Sequence, residues 1–442
     1  MLIEFKVKNY LSFKEETVLS MVASNDKQTL PQNVIEPSGT FKHRLLKSAV
    51  IYGANASGKS NFLSALSFVE SFVRNSTNGD NETIIGIEPF AFDSDCSNKP
   101  STFELDFIQD GTRYIYGFSA DKRMVHNEWL YHFPRGQQAL LFERSANENF
   151  EQLYKFTREQ KKRLSELSRN TRQNSLFLTV ATQLNVDFAK KVNSWFSSFR
   201  QLPLITSSSP FFTSDLFSKN KDIKDMVLSF LKKADLEIDD IVYVKKEKEI
   251  DKKADFLLQE LFSMIDPSGK KMPTISSTTS GTFIEYDLWF VHKTINSSGE
   301  EQRTQIRFDR ESSGTQRFYE IAGYIILTIL DNLTIFSDEI DLRLHPRLIA
   351  WMIDLFHKFK EKATSQLIFT THNTELLSPE LMRRDQIWFV EKNRSTNASH
   401  LFSLADFKHV RKEENFRKNY LDGRYGAVPI LQKFDIYDDT EK

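Results

Sequence analysis

Gly53-Ala54-Asn55-Ala56-Ser57-Gly58-Lys59-Ser60 matches the pattern G-x-x-x-x-G-K-[ST] at every fixed position. Glycines let such a loop curl so that successive backbone N–H groups face a phosphate, and the helix that follows adds its positive end. Lys59 would reach the β- and γ-phosphates of a bound nucleotide, and the Ser60 hydroxyl would hold Mg2+. Glycine occupies only 15 of 442 positions, so a chance match anywhere in the chain is below about one per cent for the motif as written. A flexible surface loop is the competing reading, and the flanking sequence speaks against it. SAVIY (48–52) is a short apolar strand, and Phe62, Leu63, Leu66, Val69, Phe72 and Val73 fall at helical spacing behind the loop.

A phosphate loop needs an acid on a neighbouring strand to hold its metal. LTIFSDE (333–339) is mostly apolar and ends in Asp338-Glu339. Asp338 would hold Mg2+ directly or through water, and Glu339 would polarise the attacking water; a solvated turn is the plain alternative. Downstream, SQLIFTTH (365–372) reads as a buried strand ending in Thr370, Thr371 and His372. His372 would hydrogen-bond the γ-phosphate or the water, against the alternative of a structural histidine at a strand end. Glu311-Ser312-Ser313-Gly314-Thr315-Gln316-Arg317 precedes the apolar FYEIAGYIILTIL. Small hydroxyl residues and a glycine opening a helix make a second anion-binding end, or an ordinary N-cap. One chain cannot easily bring two such helix ends to one γ-phosphate. A second copy could.

Other segments must carry these residues. Residues 2–10 and 17–23 alternate as strands, FELDFI and RYIYGF flank the hairpin signal Asp110-Gly111, and EWLYHF (128–133) is a further strand. The texture changes near Asn149: 151–200 is polar, basic and mostly helical. Residues 221–265 read as two helices around IDDIVYV, with the charge run Lys245 to Lys253 between them, and 274–282 as a loop. Period two returns at 283–293 and 304–308. From 311 to 390 helix and strand alternate three times, a βαβ-like, parallel pattern. No repeat or sustained heptad is visible. The division is therefore 1–148, the first half of a nucleotide-binding domain; 149–282, a mostly helical insertion; and 283–442, its second half.

Composition narrows the classes. With 59 basic against 60 acidic side chains there is no global basic field, so whole-surface nucleic-acid binding is not indicated. Cys96 is the only cysteine, which excludes an internal disulfide and a cysteine-based zinc site and points to a reducing, cytoplasmic setting. The most apolar run, IAGYIILTIL (321–330), is far short of the roughly 20 residues that span a bilayer. Arg158, Lys161, Lys162, Arg163, Arg169 and Arg172 cluster in one helical segment, which reads as a solvated face, a nucleic-acid contact or a protein contact. No nuclease constellation of metal-ligand spacing is present.

The order of these pieces resembles ABC-class ATPases, specifically the soluble branch of SMC, RecF and OLD-like proteins. GANASGKSN is similar to their phosphate loop, with Asn55 inside it and Asn61 just after it. ESSGTQ resembles their signature sequence, IFSDEID their metal-binding strand and dimer loop, and TTHNTELL their switch histidine. FKVKNYLSFKEE, DEIDLRLHP (338–346) and RKEENFRKNYLDGRYGAVPIL (411–431) bring the likeness closer to the class-15 AAA ATPases of prokaryotes, the RloA and AbiL type associated with abortive infection.

That resemblance implies an α/β, ABC-type nucleotide-binding domain, a mixed sheet with an antiparallel lobe, carrying the helical insertion. It implies ATP and Mg2+ as cofactors, with GTP not excluded, and a dimer or higher even oligomer in which Ser312, Ser313 and Gly314 contact the γ-phosphate held by the partner copy. Asp341 would lie in the dimer loop. Ser313 stands where many relatives have glycine, and the stretch around Glu88-Pro89-Phe90 has no glutamine for the Q-loop role. The expected function is a nucleotide-driven switch for a separate effector, such as a nuclease, in anti-phage defence. A RecF-like DNA-clamping ATPase is the alternative.

Overall fold

The structure, a computed structural model, describes residues 1–147, 151–157, 161–202, 211–249, 282–359, 363–408 and 414–429. Arg158, residues 250–253 of the charge run, the stretch 274–281 and residues 411–413 and 430–431 lie outside that set. The chain forms two compact units: Met1–Arg200 with Phe336–Glu339 and Gln366–Lys442, and Gln201–Ile335 with Ile340–Ser365. The described residues of the sequence-defined insertion up to Arg200 thus fall in the first.

The first unit is mixed α/β. Its larger sheet is antiparallel, in the order Gln152–Phe156, Ala139–Ala146, Val125–Phe133, Thr112–Ala120, Ser101–Gln109, Leu2–Lys8, Thr17–Ser20. The expected hairpin is there: Gln109 pairs with Thr112, and Asp110 (φ 48°) and Gly111 (φ 72°) are both left-handed, the requirement of a two-residue type I′ turn. The smaller sheet runs Phe199–Gln201, Thr334–Ser337, Gln366–Thr370, Ser48–Tyr52, Ile387–Lys392, Ser399–Ser403. Ser48–Tyr52 is parallel to both neighbours, and Ile387–Lys392 is antiparallel to the last strand, so the sheet is mixed as expected.

Helix Lys59–Asn75 contributes Phe62, Leu63, Leu66 and Val69 to one core shared with Phe5 and Phe103 of the larger sheet and Ile51 and Val390 of the smaller. This is where much of the phenylalanine goes. Phe68 packs on Tyr10, Phe72, Phe103 and Phe118 at centroid distances of 5.2–6.3 Å. A fully buried ion pair docks the polar segment after residue 160 onto the larger sheet. Glu128 lies 3.5 Å from Arg144, neither side chain exposed, and accepts from the Phe177 and Leu178 amides that open helix Phe177–Gln183.

Gln152–Phe156 is a strand rather than helix, because Leu153 and Tyr154 extend the antiparallel sheet against Ser145 and Arg144. The third helix expected before residue 390 is also absent. Only the single turns Thr374–Leu376 and Arg384–Gln386 lie between the strands ending at Thr370 and starting at Ile387. Polar side chains cap those turns in place of a helix: Asn373 accepts from the Glu375 amide, and the Arg383 amide donates to Gln386.

In the second unit, helix Ser313–Leu330 is buried along most of its length. Phe318 stacks on Phe230 of helix Lys221–Lys233 (4.9 Å), and Tyr324 on Phe212 of helix Phe211–Lys219 (3.8 Å). An antiparallel sheet of Ile238–Glu249, Thr282–Ile295 and Glu301–Arg307 completes it. The first half of the charge run, expected between two helices, belongs to the edge strand Ile238–Glu249. Exposed edge positions accept lysine and glutamate without desolvation, and Lys246 pairs with Asp287 across the ladder.

Candidate nucleotide site

Strand Ser48–Tyr52 is buried at every position and delivers the chain directly into the loop at 53–58. Left-handed backbone at Ala56 (φ 60°) and Gly58 (φ 113°) winds that loop, the conformation in which neighbouring N–H groups converge on one anion. Gly58 is also required by space, since a Cβ there would collide with the hydroxyls of Ser399 and Ser12. At Gly53 a Cβ would collide with the Val390 carbonyl.

The loop's polar atoms fit a phosphate group. Ser57 Oγ is buried and has no partner, while the Ser57 carbonyl is held by the Ser399 hydroxyl at 2.6 Å. Lys59 is 6% exposed, and its Nζ donates back to the Gly53 carbonyl (2.9 Å) and the Ala54 carbonyl (3.2 Å). An ammonium folded over carbonyls at the mouth of such a loop is positioned to exchange them for phosphate oxygens. Asn55 and Ser60 are exposed and Asn61 is half-buried.

Asp338 and Glu339 follow directly on strand Thr334–Ser337, one strand away from the phosphate-loop strand. The strand between them, Gln366–Thr370, ends in the residue that ties the two acids together. Thr370 Oγ1 donates to Asp338 Oδ1 (2.5 Å) and accepts from the Glu339 amide (2.8 Å). Asp338 is 8% exposed. Glu339 is half-buried with φ 44°, a left-handed conformation that costs a non-glycine residue about 1–3 kcal/mol. Two residues past Thr370, His372 is exposed. Among the described residues no three His, Cys, Asp or Glu side chains gather as a metal cluster. One carboxylate and one hydroxyl, Asp338 and Ser60, match a metal held largely by phosphate oxygens.

The first unit thus assembles 53–61, 338–339 and 372. Ser312, Ser313, Gly314 and Asp341 belong to the second. There, Ser312 Oγ accepts from the Thr315 amide (3.1 Å) as the N-cap of Ser313–Leu330, Ser313 is exposed, and Gly314 is close to the Arg343 carbonyl. Asp341 accepts at its carbonyl from the Leu344 amide.

Two parts of the site were not assigned from sequence. In the sequence Thr370 is a polar strand end, and a hydroxyl level with an acid pair is the available signal. The phrase YLDGRYGAVP, which carries only family likeness in the sequence, lines a cleft of 850 Å3 beside the loop. Tyr420, Ala427 and Pro429 share it with Gly53, Asn55 and His372.

The family described as "AAA domain, putative AbiEii toxin, Type IV TA system" matches residues 48–378, which include the phosphate loop, Ser312–Gly314, Asp338–Glu339 and His372. This agrees with the family resemblance carried by those motifs. No curated protein matches the chain. Among solved structures, similarity is found to an SMC head bound to the C-winged helix domain of ScpA, at 13% identity and TM-score 0.42 over 91% of this chain and 97% of that one. An SMC head domain from Thermotoga maritima matches at 13% identity and TM-score 0.39, over 91% and 98%.

Proposed function

The chain belongs to this AAA-domain family, and from that premise we propose that it is an ATPase whose site is completed between two copies and drives a separate effector. The observation that carries the reading is the Thr370 bridge, which fixes Asp338 and Glu339 as a pair one strand from the phosphate loop.

In this reading the 53–58 backbone and Lys59 grip the β- and γ-phosphates of ATP, with Ser57 Oγ supplying a further contact. Ser60 and Asp338 hold Mg2+, which when bound neutralises charge on the phosphate oxygens. Glu339 accepts a proton from the attacking water while Thr370 steadies its backbone. His372, exposed beside the loop, donates to the γ-phosphate. Ser312, Ser313 and Gly314 of a second copy close the site from the far side, with Asp341 in the loop between copies. GTP is an equal candidate on phosphate chemistry alone.

The effector is a separate protein, because no second catalytic constellation was found in the sequence. The toxin–antitoxin association of the family and the resemblance to abortive-infection ATPases favour a cytoplasmic, anti-phage role, in which the effector is a separate protein such as a nuclease. No helix among the described residues is long and apolar enough to cross a membrane. The DNA-clamping reading has Lys161, Lys162 and Arg169 exposed on one short helix in its favour. It loses Arg172, whose guanidinium is bound to the Thr77 and Gly79 carbonyls and the Ser175 hydroxyl.

Weighing the protein, purified with the products of neighbouring genes, with and without ATP tests the proposal. ATP-dependent mass gain by wild type, absent in Lys59→Ala, is the expected result. Binding of ATP by Lys59→Ala at wild-type affinity discards the site. DNA binding that falls with salt at a slope of about −0.9 per phosphate contacted would move the assignment to the DNA reading.

A further inference from the structure

The turn between helix Lys161–Arg169 and helix Phe177–Gln183 is fixed by the larger sheet. Arg144 donates to the Arg172 and Gln173 carbonyls (3.1 and 3.2 Å), and the Val125 amide donates to the Gln173 carbonyl (2.8 Å). Beside the turn lies a cavity of 430 Å3, within the size range of small-molecule sites. Arg123, Arg169, Arg172 and Asn174 line it, and none of its lining residues is acidic. It lies wholly in the first unit and shares no residue with the cleft beside the phosphate loop.

The three guanidiniums carry charge that no carboxylate neutralises. Arg172 gives Nε to the Ser175 hydroxyl (3.2 Å) and its terminal nitrogens to the Thr77 (2.9 Å) and Gly79 carbonyls. Those bonds hold the group in place and leave two of its N–H donors over. Arg123 and Arg169 are exposed, and none of the three is ion-paired among the described residues. Asp121, the acid closest to Arg123 in sequence, is already engaged: it pairs with His126 (2.7 Å) and accepts from the Arg123 amide (2.7 Å). Arg169 is not needed to finish its own helix, where the Leu167 carbonyl accepts from Thr171 Oγ1 (3.0 Å) and the Asn170 amide (3.2 Å).

Asn174 adds a demand of the opposite kind. It is 7% exposed, and its Nδ2 donates to the Asp80 and Thr83 carbonyls (2.8 and 3.0 Å), which settles which way the amide points. Its Oδ1 is therefore an acceptor, and it is buried without a partner. Such an atom is costly until a donor reaches it.

We propose that this cavity binds a phosphate monoester carried on a hydroxyl-bearing skeleton, of which a sugar phosphate is the simplest. A monoester brings about −1.5 to −2 charge and three acceptor oxygens near neutral pH, which suits unpaired guanidiniums better than the single charge of a diester. A hydroxyl of the same molecule donates to Asn174 Oδ1. A free sugar phosphate and the 5′-phosphate end of an RNA strand offer the same chemistry. The site does not depend on the ATP reading above.

The test measures binding of ribose 5-phosphate, inorganic phosphate, and a short single-stranded RNA with and without its 5′-phosphate. The proteins are wild type, Lys59→Ala, Arg123→Gln and Arg169→Gln, the last two altered only at exposed side chains. Ribose 5-phosphate should bind wild type and Lys59→Ala alike, more tightly than inorganic phosphate, and about tenfold more weakly to each arginine variant. RNA that binds only when 5′-phosphorylated, and more tightly than ribose 5-phosphate, names the strand end as the source. RNA that binds no better names the free compound. Undiminished binding in both arginine variants overturns the proposal, as does equal affinity for inorganic phosphate, which removes the Asn174 contact. Loss of ribose 5-phosphate binding in Lys59→Ala overturns it by placing the ligand at the phosphate loop. RNA bound equally with and without its 5′-phosphate, and lost in the arginine variants, marks a backbone-binding surface and overturns it too. So does failure of wild type to bind either phosphorylated probe.

Discussion

Thr370 donates its hydroxyl proton to Asp338 across two adjacent strand ends, and the same oxygen accepts from the Glu339 amide. One side chain therefore sets both the orientation of the proposed metal-holding carboxylate and the left-handed turn at Glu339. Thr370→Val keeps the shape and removes both bonds. Turnover should fall about 10–100-fold with a raised Mg2+ requirement, the usual effect of losing an outer-shell partner. ATP binding measured in EDTA should not change. A variant with wild-type Mg2+ dependence and rate would reduce Thr370 to a packing residue.

Glu339→Gln separates binding from hydrolysis. The amide is the same size, and the backbone bond to Thr370 that holds the turn is untouched. Mg·ATP should stay bound and trap the joined dimer, because the amide cannot take a proton from water. Light scattering reads the trapped mass and phosphate release reads the rate. Turnover near wild type with no ATP-dependent mass gain would remove Glu339 from the catalytic role.

How the polar segment after residue 160 is held suggests a stability test. Arg144 is 1% exposed and donates to the Ser175 carbonyl (2.6 Å), the Arg172 and Gln173 carbonyls and Gln152 Oε1. Burial pushes the Glu128 carboxyl up, with Arg144 and the Leu178 and Phe177 amides opposing it. Arg144→Met strands that carboxylate and should cost about 3–5 kcal/mol in urea unfolding. Adding Glu128→Gln should return part of the loss, because the isolated charge is gone. An unchanged midpoint for the single variant would show that the pair does not hold the segment.

The motifs bearing local geometry were the most legible in the sequence. Strand Ser48–Tyr52 and the Asp110-Gly111 turn are written in adjacent residues, and the structure places both where the pattern does. Long-range demands were harder to read. Leu153 and Tyr154 become strand only because Arg144 and Ser145 offer an open edge. Thr370 looks like any polar strand end until Asp338 is folded beside it. The Tyr420–Pro429 turn carries no acid, base or metal spacing, so only the fold reveals that it borders the phosphate loop.

Whether the proposed site is shared between copies is testable on helix Ser313–Leu330. Ser312 is unsuitable for a blocking substitution because it caps the helix, and Gly314 because a Cβ would lie 3.1 Å from the Arg343 carbonyl. Ser313 is exposed, so Ser313→Arg adds bulk at the proposed contact without disturbing either neighbour. Alone, this protein should bind ATP like wild type yet neither join nor hydrolyse. Mixed with Lys59→Ala, it should regain activity. In a two-fold dimer one site then carries both lesions and the other neither, so a random equal mixture restores about a quarter of wild-type sites. A Ser313→Arg protein that hydrolyses ATP normally by itself removes the shared site. Mixed dimers that form and stay inactive would do the same unless wild-type turnover requires both sites, which the Lys59→Ala and wild-type mixture reads directly.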